Sequence, residues 1–252
     1  ELGGLAYDST NDALFVAGTP TSGDCIVRRI DIDEGETSPA LTVATPVASG
    51  GGPYCYGLSF YEDNLFLPMT YAGEVWVYDE LTANDLNPFG GMLSTPDLPA
   101  PHDTLQQVNS VAQVGGRRFF GYGHYFGGES PSSIVERSAG TWSIFQAGTN
   151  LWQPGDEVGI ATGTVDGTAL LFTFAGNSLF SFRLSDGALM AESETDQMYD
   201  VDVVTDDFGR IYIGSNEGLR IYDAQDLSLL KERTGLPTGR IAVDAESDGA
   251  MV

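Results

Sequence analysis

Basic residues are what this chain most conspicuously lacks. It carries 11 Lys and Arg against 36 Asp and Glu, a formal net charge of −25 over 252 residues, and Lys231 is its single lysine. Gripping a phosphate backbone needs a basic footprint, so nucleic acid and anionic membrane surfaces are poor partners. Long apolar runs are missing too: no stretch of 18 apolar residues occurs, so no helix is expected to span or insert into a membrane. The start, Glu1-Leu2-Gly3-Gly4, lacks the basic-then-apolar pattern of a signal peptide, which leaves either no leader or a processed or trimmed form. There are only two cysteines and two histidines, with no C-x-x-C, C-x-x-C-H or His-x-x-x-His spacing, so zinc and c-type haem have no support. Gly-x-Ser-x-Gly and Gly-x-x-x-x-Gly-Lys are absent, and Gly50-Gly51-Gly52 runs into Pro53 as a flexible connection. Without an Asn-x-Ser/Thr sequon, N-glycosylation has no acceptor.

The acids that are present do not gather in a tail. Asp8, Asp31, Asp33, Asp79, Asp166, Asp207 and Asp223 stand at turn positions along the whole chain. This reads as a solvated acidic surface that maintains solubility, with adaptation to high salt or collection of divalent cations as the sharper alternatives.

The clearest local signal is Arg210–Asp226. Two alternating runs, Arg210–Gly214 and Leu219–Asp223, flank a Ser-Asn-Glu-Gly turn, which predicts a β-hairpin. Weaker copies recur. Gly4-Leu5-Ala6-Tyr7, Gly57-Leu58-Ser59-Phe60, Ser110-Val111-Ala112-Gln113, Gly159-Ile160-Ala161-Thr162, Asp200-Val201-Asp202-Val203 and Arg240-Ile241-Ala242-Val243 align at spacings of 53, 53, 49, 41 and 40. Their small and β-branched residues suit strands packed closely on their neighbours. After each comes an Asp-, Asn- or Gly-rich turn, then a second and a third strand. A fourth is expected at Ala40–Pro46, Trp142–Gln146, Ala188–Glu192 and Leu227–Glu232, and its signal is poor in the second unit, where Asn87–Pro101 reads as a Pro-rich connection.

Repeated four-stranded antiparallel units predict an all-β protein, a β-propeller in one domain over residues 1–252. The blades fall at about 3–50, 54–100, 106–150, 157–194 and 198–235, with a partial sixth at 239–252. A β-sandwich or irregular β-solenoid is the alternative, though neither needs the same four-strand grammar in each unit. A ring must close to abolish its edges, so the chain reads as truncated, from a ring of six or seven blades when complete.

The unit Gly209–Gly214 followed by Gly218–Asp223 resembles the repeats of the YVTN/LVIVD-type propeller superfamily, and Leu14–Ala17 with Val27–Asp31 and Leu65–Leu67 with Val75–Asp79 match more loosely. The resemblance implies a fold, and an extracellular, periplasmic or cell-surface protein that binds partners through its loops.

In a propeller, the connections between blades and the loops between second and third strands share one face. Cys25 and Cys55 fall on that face in adjacent blades, where a disulfide is geometrically possible, with two free thiols as the alternative. A disulfide would mean an oxidising compartment. The same face collects Tyr54, Tyr56, His102, His124, Tyr125, Phe126, Trp152 and Tyr199. Aromatics beside acids such as Asp156 and Glu157 can stack on a sugar or clamp a peptide, although each ring can instead plug a gap between blades. The chain therefore reads as a non-catalytic binding or structural module whose partner is a protein, a glycan or another copy of itself, with no cofactor required. The alternative is a calcium-dependent hydrolase of the lactonase or esterase kind, with Asn109, Glu157 and Asp200 at inner-strand starts holding the metal through oxygen. On this reading the other inner-strand positions, Gly, Leu, Ala and Val, offer no further ligands.

Overall fold

The computed structural model describes residues 2–18, 25–32, 41–43, 57–61, 64–69, 74–79, 92–93, 108–123, 132–147, 158–199, 201–235, 241–243 and 250–251. Among these there is no helix, and the strands form five four-stranded antiparallel sheets and one two-stranded sheet, each in simple sequence order. The first sheet is β1 (Leu2–Asp8), β2 (Ala13–Gly18), β3 (Cys25–Asp31) and β4 (Leu41–Val43), and the second is β5 (Ser59–Tyr61), β6 (Asn64–Met69), β7 (Glu74–Asp79) and β8 (Met92–Leu93). The third is β9 (Val108–Val114), β10 (Arg117–Tyr122), β11 (Ser133–Ser138) and β12 (Thr141–Ala147). The fourth is β13 (Val158–Val165), β14 (Thr168–Ala175), β15 (Ser178–Arg183) and β16 (Leu189–Glu194). The fifth is β17 (Asp202–Thr205), β18 (Arg210–Ser215), β19 (Gly218–Asp223) and β20 (Leu229–Thr234), and the last pair is β21 (Ala242–Val243) and β22 (Ala250–Met251). One sequence expectation is corrected: the stretch read as a Pro-rich connection holds β8, where Leu93 and Met92 pair with Val75 and Trp76. Proline on either side hides a strand that short from any alternation pattern.

Turn chemistry sets the hairpins. Asp166 and Gly167 both take positive φ, 49° and 76°, between the paired Val165 and Thr168, the backbone of a two-residue type I′ loop. Ala139-Gly140 does the same with a less favourable first residue.

The first strands form a ring: β1 lies against β5, β5 against β9, β9 against β13, β13 against β17, and β21 against both β17 and β1. Packing follows from that arrangement. Rather than one central core, apolar clusters fill the gaps between neighbouring sheets. Phe15, Val27 and Ala17 of the first sheet meet Leu58, Leu65 and Leu67 of the second. Phe66 and Val75 meet Val111, Phe120 and Tyr122 of the third. Phe119 and Ile134 meet Leu171, Phe180 and Phe182 of the fourth, and Phe172 and Leu179 meet Val203, Ile211 and Ile213 of the fifth. Each fully buried Phe or Leu contributes about 1.5–3 kcal/mol, so each interface is a core in its own right.

Polar staples cross the same gaps. Arg117 makes a two-pronged ion pair with Glu136 at 2.6 and 2.8 Å within its own sheet, while its Nη1 donates to the Leu184 carbonyl of the next. The hydrogen bond from Arg117 to Glu136, helped by the carboxylate's charge, raises the guanidinium pKa and outweighs the burial that opposes its charge.

Candidate functional site

The ring of first strands encloses a cavity of about 370 Å³. Its walls are built by β1, β5, β13, β17 and β21, with Ser110 of β9, and at one end by Ser9, Thr10 and Asp207 from turns that follow β1 and β17. Those three turn residues are exposed, so they mark a mouth on the face of the turns between first and second strands.

Hydroxyls dominate the polar part of the wall, and several are committed to bonds between strands. Ser110 Oγ donates to the Val158 carbonyl at 2.8 Å and accepts from the Ile160 N–H at 3.0 Å, tying β9 to β13. Thr162 donates to the Gln113 carbonyl and Thr205 to the Thr162 carbonyl, at 3.3 and 2.7 Å. Asp202 Oδ2 accepts the Ile241 N–H at 3.1 Å and so joins β17 to the start of the last sheet. Short β-branched or small side chains make these bonds possible, because neighbouring first strands approach too closely for anything larger. A Cβ on Gly4 would fall 2.7 Å from the backbone of Gly57 and Leu58, and one on Gly57 would fall 2.7 Å from the Asn109 carbonyl.

Among the described residues, two carboxylates, Asp202 and Asp207, line the cavity, and no Lys, Arg or His does. Tyr61, partly buried at the wall, has its phenol pKa pushed up by burial and, secondarily, by the negative charge of Asp202, which keeps it protonated. Tyr7 and Phe60 add aromatic surface; Tyr7 donates to Asp12 at 2.6 Å, and Phe60 stacks on Phe15 at 5.7 Å.

This channel corrects one expectation from sequence. First-strand positions beyond those proposed for a metal are not all Gly, Leu, Ala and Val: Ser59, Tyr61, Thr162 and Asp202 line the cavity as well. The signal was a polar residue inside a largely apolar tetrad, as Thr162 in Gly159-Ile160-Ala161-Thr162. Asn109 is placed as the extra residue of a β-bulge between the Gly121–Ser110 and Tyr122–Val108 pairs, and its buried Nδ2 has no hydrogen-bond partner. Glu157 and Asp200, the other residues expected to hold calcium, lie outside the described residues. Among the described residues no three His, Cys, Asp or Glu side chains converge to hold a metal.

The opposite face is the one expected to carry the aromatic loops. Tyr54, Tyr56, His102, His124, Tyr125, Phe126 and Trp152 lie outside the described residues. Tyr199 is described, and it is 47% exposed. It sits in the connection entering the fifth sheet, and its carbonyl accepts from the Asn216 N–H at 3.2 Å while its own N–H donates to Asn216 Oδ1 at 3.4 Å. Asn216 belongs to the β18–β19 turn, so this inter-sheet connection and this second-to-third-strand loop do share a face. The Thr195 N–H bond to the Asn177 carbonyl and the Gly235 N–H bond to the Glu217 carbonyl tie the ends of the fourth and fifth sheets to the same kind of turn. Cys25 opens β3 fully buried and is not a free thiol; Cys55 lies outside the described residues.

No family model and no curated protein matches the chain. Solved structures do. The nidogen/laminin complex aligns at TM-score 0.65 and 9% identity over 93% of this chain and 80% of that one. A calcium-binding protein, regucalcin from Agrobacterium tumefaciens, aligns at TM-score 0.64 and 14% identity over 96% and 77%. The WD40 β-propeller domain of Doa1 aligns at TM-score 0.58 and 14% identity over 96% and 72%. The fold is a β-propeller. At these identities the likeness is one of fold alone, and its neighbours range from a complex of two proteins to a calcium-binding protein.

Proposed function

We propose that this propeller is a non-catalytic binding module that engages a protein through the face of its inter-blade connections. The observation that carries the reading is Tyr199: a half-exposed aromatic displayed on a loop whose backbone is pinned on both sides by Asn216. Rigid, exposed aromatic side chains lose little entropy on association and are enriched among residues that dominate binding energy. The commitment of the channel hydroxyls to bonds between strands also favours a scaffold over a catalyst. A photo-crosslinking amino acid placed at Tyr199 is expected to yield adducts with a protein of the native host, whereas one at Phe208, which is equally exposed on the opposite face, yields none. Equal labelling from both positions, or adducts from Phe208 alone, overturns the reading. A glycan array signal abolished by Tyr199→Ala would replace the protein partner with a glycan.

The position of β21 against both β17 and β1 supports a six-bladed ring, and the hairpin Arg210–Asp223 supports a place near the YVTN/LVIVD-type propellers. The bonded state of Cys25 supports pairing with Cys55, the only other cysteine, and hence residence outside the reducing cytosol. Intact mass after alkylation without reductant should show no modified cysteine; alkylation of both refutes the pair.

A further inference from the structure

We propose that copies of this propeller associate head to tail, the outer strand of the fourth blade, β16, pairing with the outer strand of the fifth blade, β20, of the next copy. Both strands are sheet edges: among the described residues β15 and β19 are their only strand neighbours. An open edge is a template for one more strand. Exposed hydrocarbon gathers on these two, with Leu189 and Met190 on β16 and Leu229 and Leu230 on β20, each about half exposed. The charges that follow differ in sign. β16 continues as Ala191-Glu192-Ser193-Glu194, and β20 as Lys231-Glu232-Arg233-Thr234, with the single lysine of the chain. Glu192, Glu194, Lys231 and Arg233 are all exposed. Glu232 is held by Arg220 of its own sheet at 2.7 Å, which leaves the edge of β20 basic in an otherwise acidic protein.

The sides on which these charges lie decide the pairing, because cross-strand partners share a side of the sheet. Glu192 and Glu194 stand opposite Phe180 and Ser178, on the side where Phe180 packs toward the third blade. Lys231 and Arg233 stand opposite Ile221 and Leu219, on the side that packs toward Ile241 and the last sheet. The acids therefore face the preceding blade and the bases the following one. Joining two outer edges with parallel strands relates the copies by a half-turn about the strand direction. That operation continues the preceding-blade side of one copy into the following-blade side of the other. In this register Glu192 meets Lys231, Glu194 meets Arg233, and Met190 comes beside Leu229. Antiparallel joining would align like sides and set Glu192 and Glu194 beside Glu232 and Thr234. Bulges that skip Met190 and Leu230 confine the ladder to the four residues after them. So small a contact makes the association weak and reversible. Each copy keeps one edge of each kind free, so pairing propagates from copy to copy. The contact uses the outer rim and not the loop that carries Tyr199, so it stands or falls apart from partner binding there.

The test is sedimentation velocity of the intact chain in about 0.15 M salt, where repulsion between acidic copies is screened beyond about 8 Å while contact pairs persist. Over about a hundredfold range of concentration the sedimentation coefficient of the parent is expected to rise. Lys231→Glu/Arg233→Glu and Glu192→Lys/Glu194→Lys should each associate at least about tenfold more weakly. The second variant is less acidic than the parent, so general repulsion cannot account for its loss. An equimolar mixture of the two should regain association, since acidic and basic edges then meet at every contact. If either double variant fails to fold, Lys231→Glu and Glu192→Lys, which lie opposite each other, take their place. The proposal is overturned if the parent stays monomeric throughout, if either folded variant associates like the parent, or if the mixture associates no better than its components.

Discussion

Gly121→Val is expected to destabilise the protein by about 3 kcal/mol or more, seen as a lowered urea midpoint at unchanged slope, because the junction between third and fourth blades has no room for a side chain. A Cβ at Gly121 would lie 2.4 Å from the Val158 carbonyl oxygen and 2.8 Å from Ser110 Oγ. Neither neighbour can yield cheaply. The carbonyl belongs to the first residue of β13, and it and Ser110 Oγ are already joined by the bond that ties the two blades together. Relief would require the blades to part, exposing Val158, Ile160 and Phe119, all buried in the shared cluster. Gly163→Ala is the control. Its Cβ would meet the edge of Phe172 at 3.2 Å and Thr205 side-chain atoms at 3.7 Å, contacts a side chain can adjust. The lower chain entropy of alanine offsets that cost, so a net change within about 1 kcal/mol is expected. Equal effects of the two substitutions would show that close approach of blades does not explain the glycine pattern.

Asp206→Ala should cost about 3–5 kcal/mol, the range for removing one partner of a buried ion pair. The Asp206 carboxylate is wholly buried and accepts four bonds: from the N–H groups of Phe208 and Arg210, from Arg210 Nε at 2.6 Å, and from the Tyr212 hydroxyl at 2.8 Å. Deleting it strands the turn and leaves the Arg210 guanidinium, which lies over the Phe208 and Tyr212 rings, without this counter-charge. Asp206→Asn keeps the shape and the acceptor oxygen, so its loss should be smaller. By contrast, Asp186→Ala removes the exposed pair with Arg183 and should change stability by no more than about 1 kcal/mol. Chemical denaturation of the three variants separates these cases, and a loss at Asp186 matching that at Asp206 would sink the argument from burial.

Asp206 and Asp202 also illustrate why the fold was more legible than the site. The β18–β19 hairpin carried alternation and a polar turn within a dozen residues, and its pairing, Ser215 with Gly218 outward to Arg210 with Asp223, is what that pattern demands. The tetrads announced close packing through Gly4, Gly57 and Gly159, and a Cβ at each would meet the neighbouring blade within 3 Å. Asp207 is exposed in the turn, as expected, while its neighbour Asp206 is buried and accepts the bonds that hold that turn. Two adjacent aspartates are indistinguishable until the strand's direction and twist decide which one points inward. β8 escaped notice because two residues between prolines have no period to read.

Local chemistry thus specified the strands, the turns and the repeat, since hairpin register depends on side chains a few positions apart and survives in the linear order. Which of the many hydroxyls and carboxylates would meet was a property of ring closure. Tyr61 and Asp202 are remote in the chain and adjoin one cavity only because the first strands of successive sheets, each contributing one or two residues, come together around a common axis. No single unit contains that cavity, so no single stretch of sequence could reveal it.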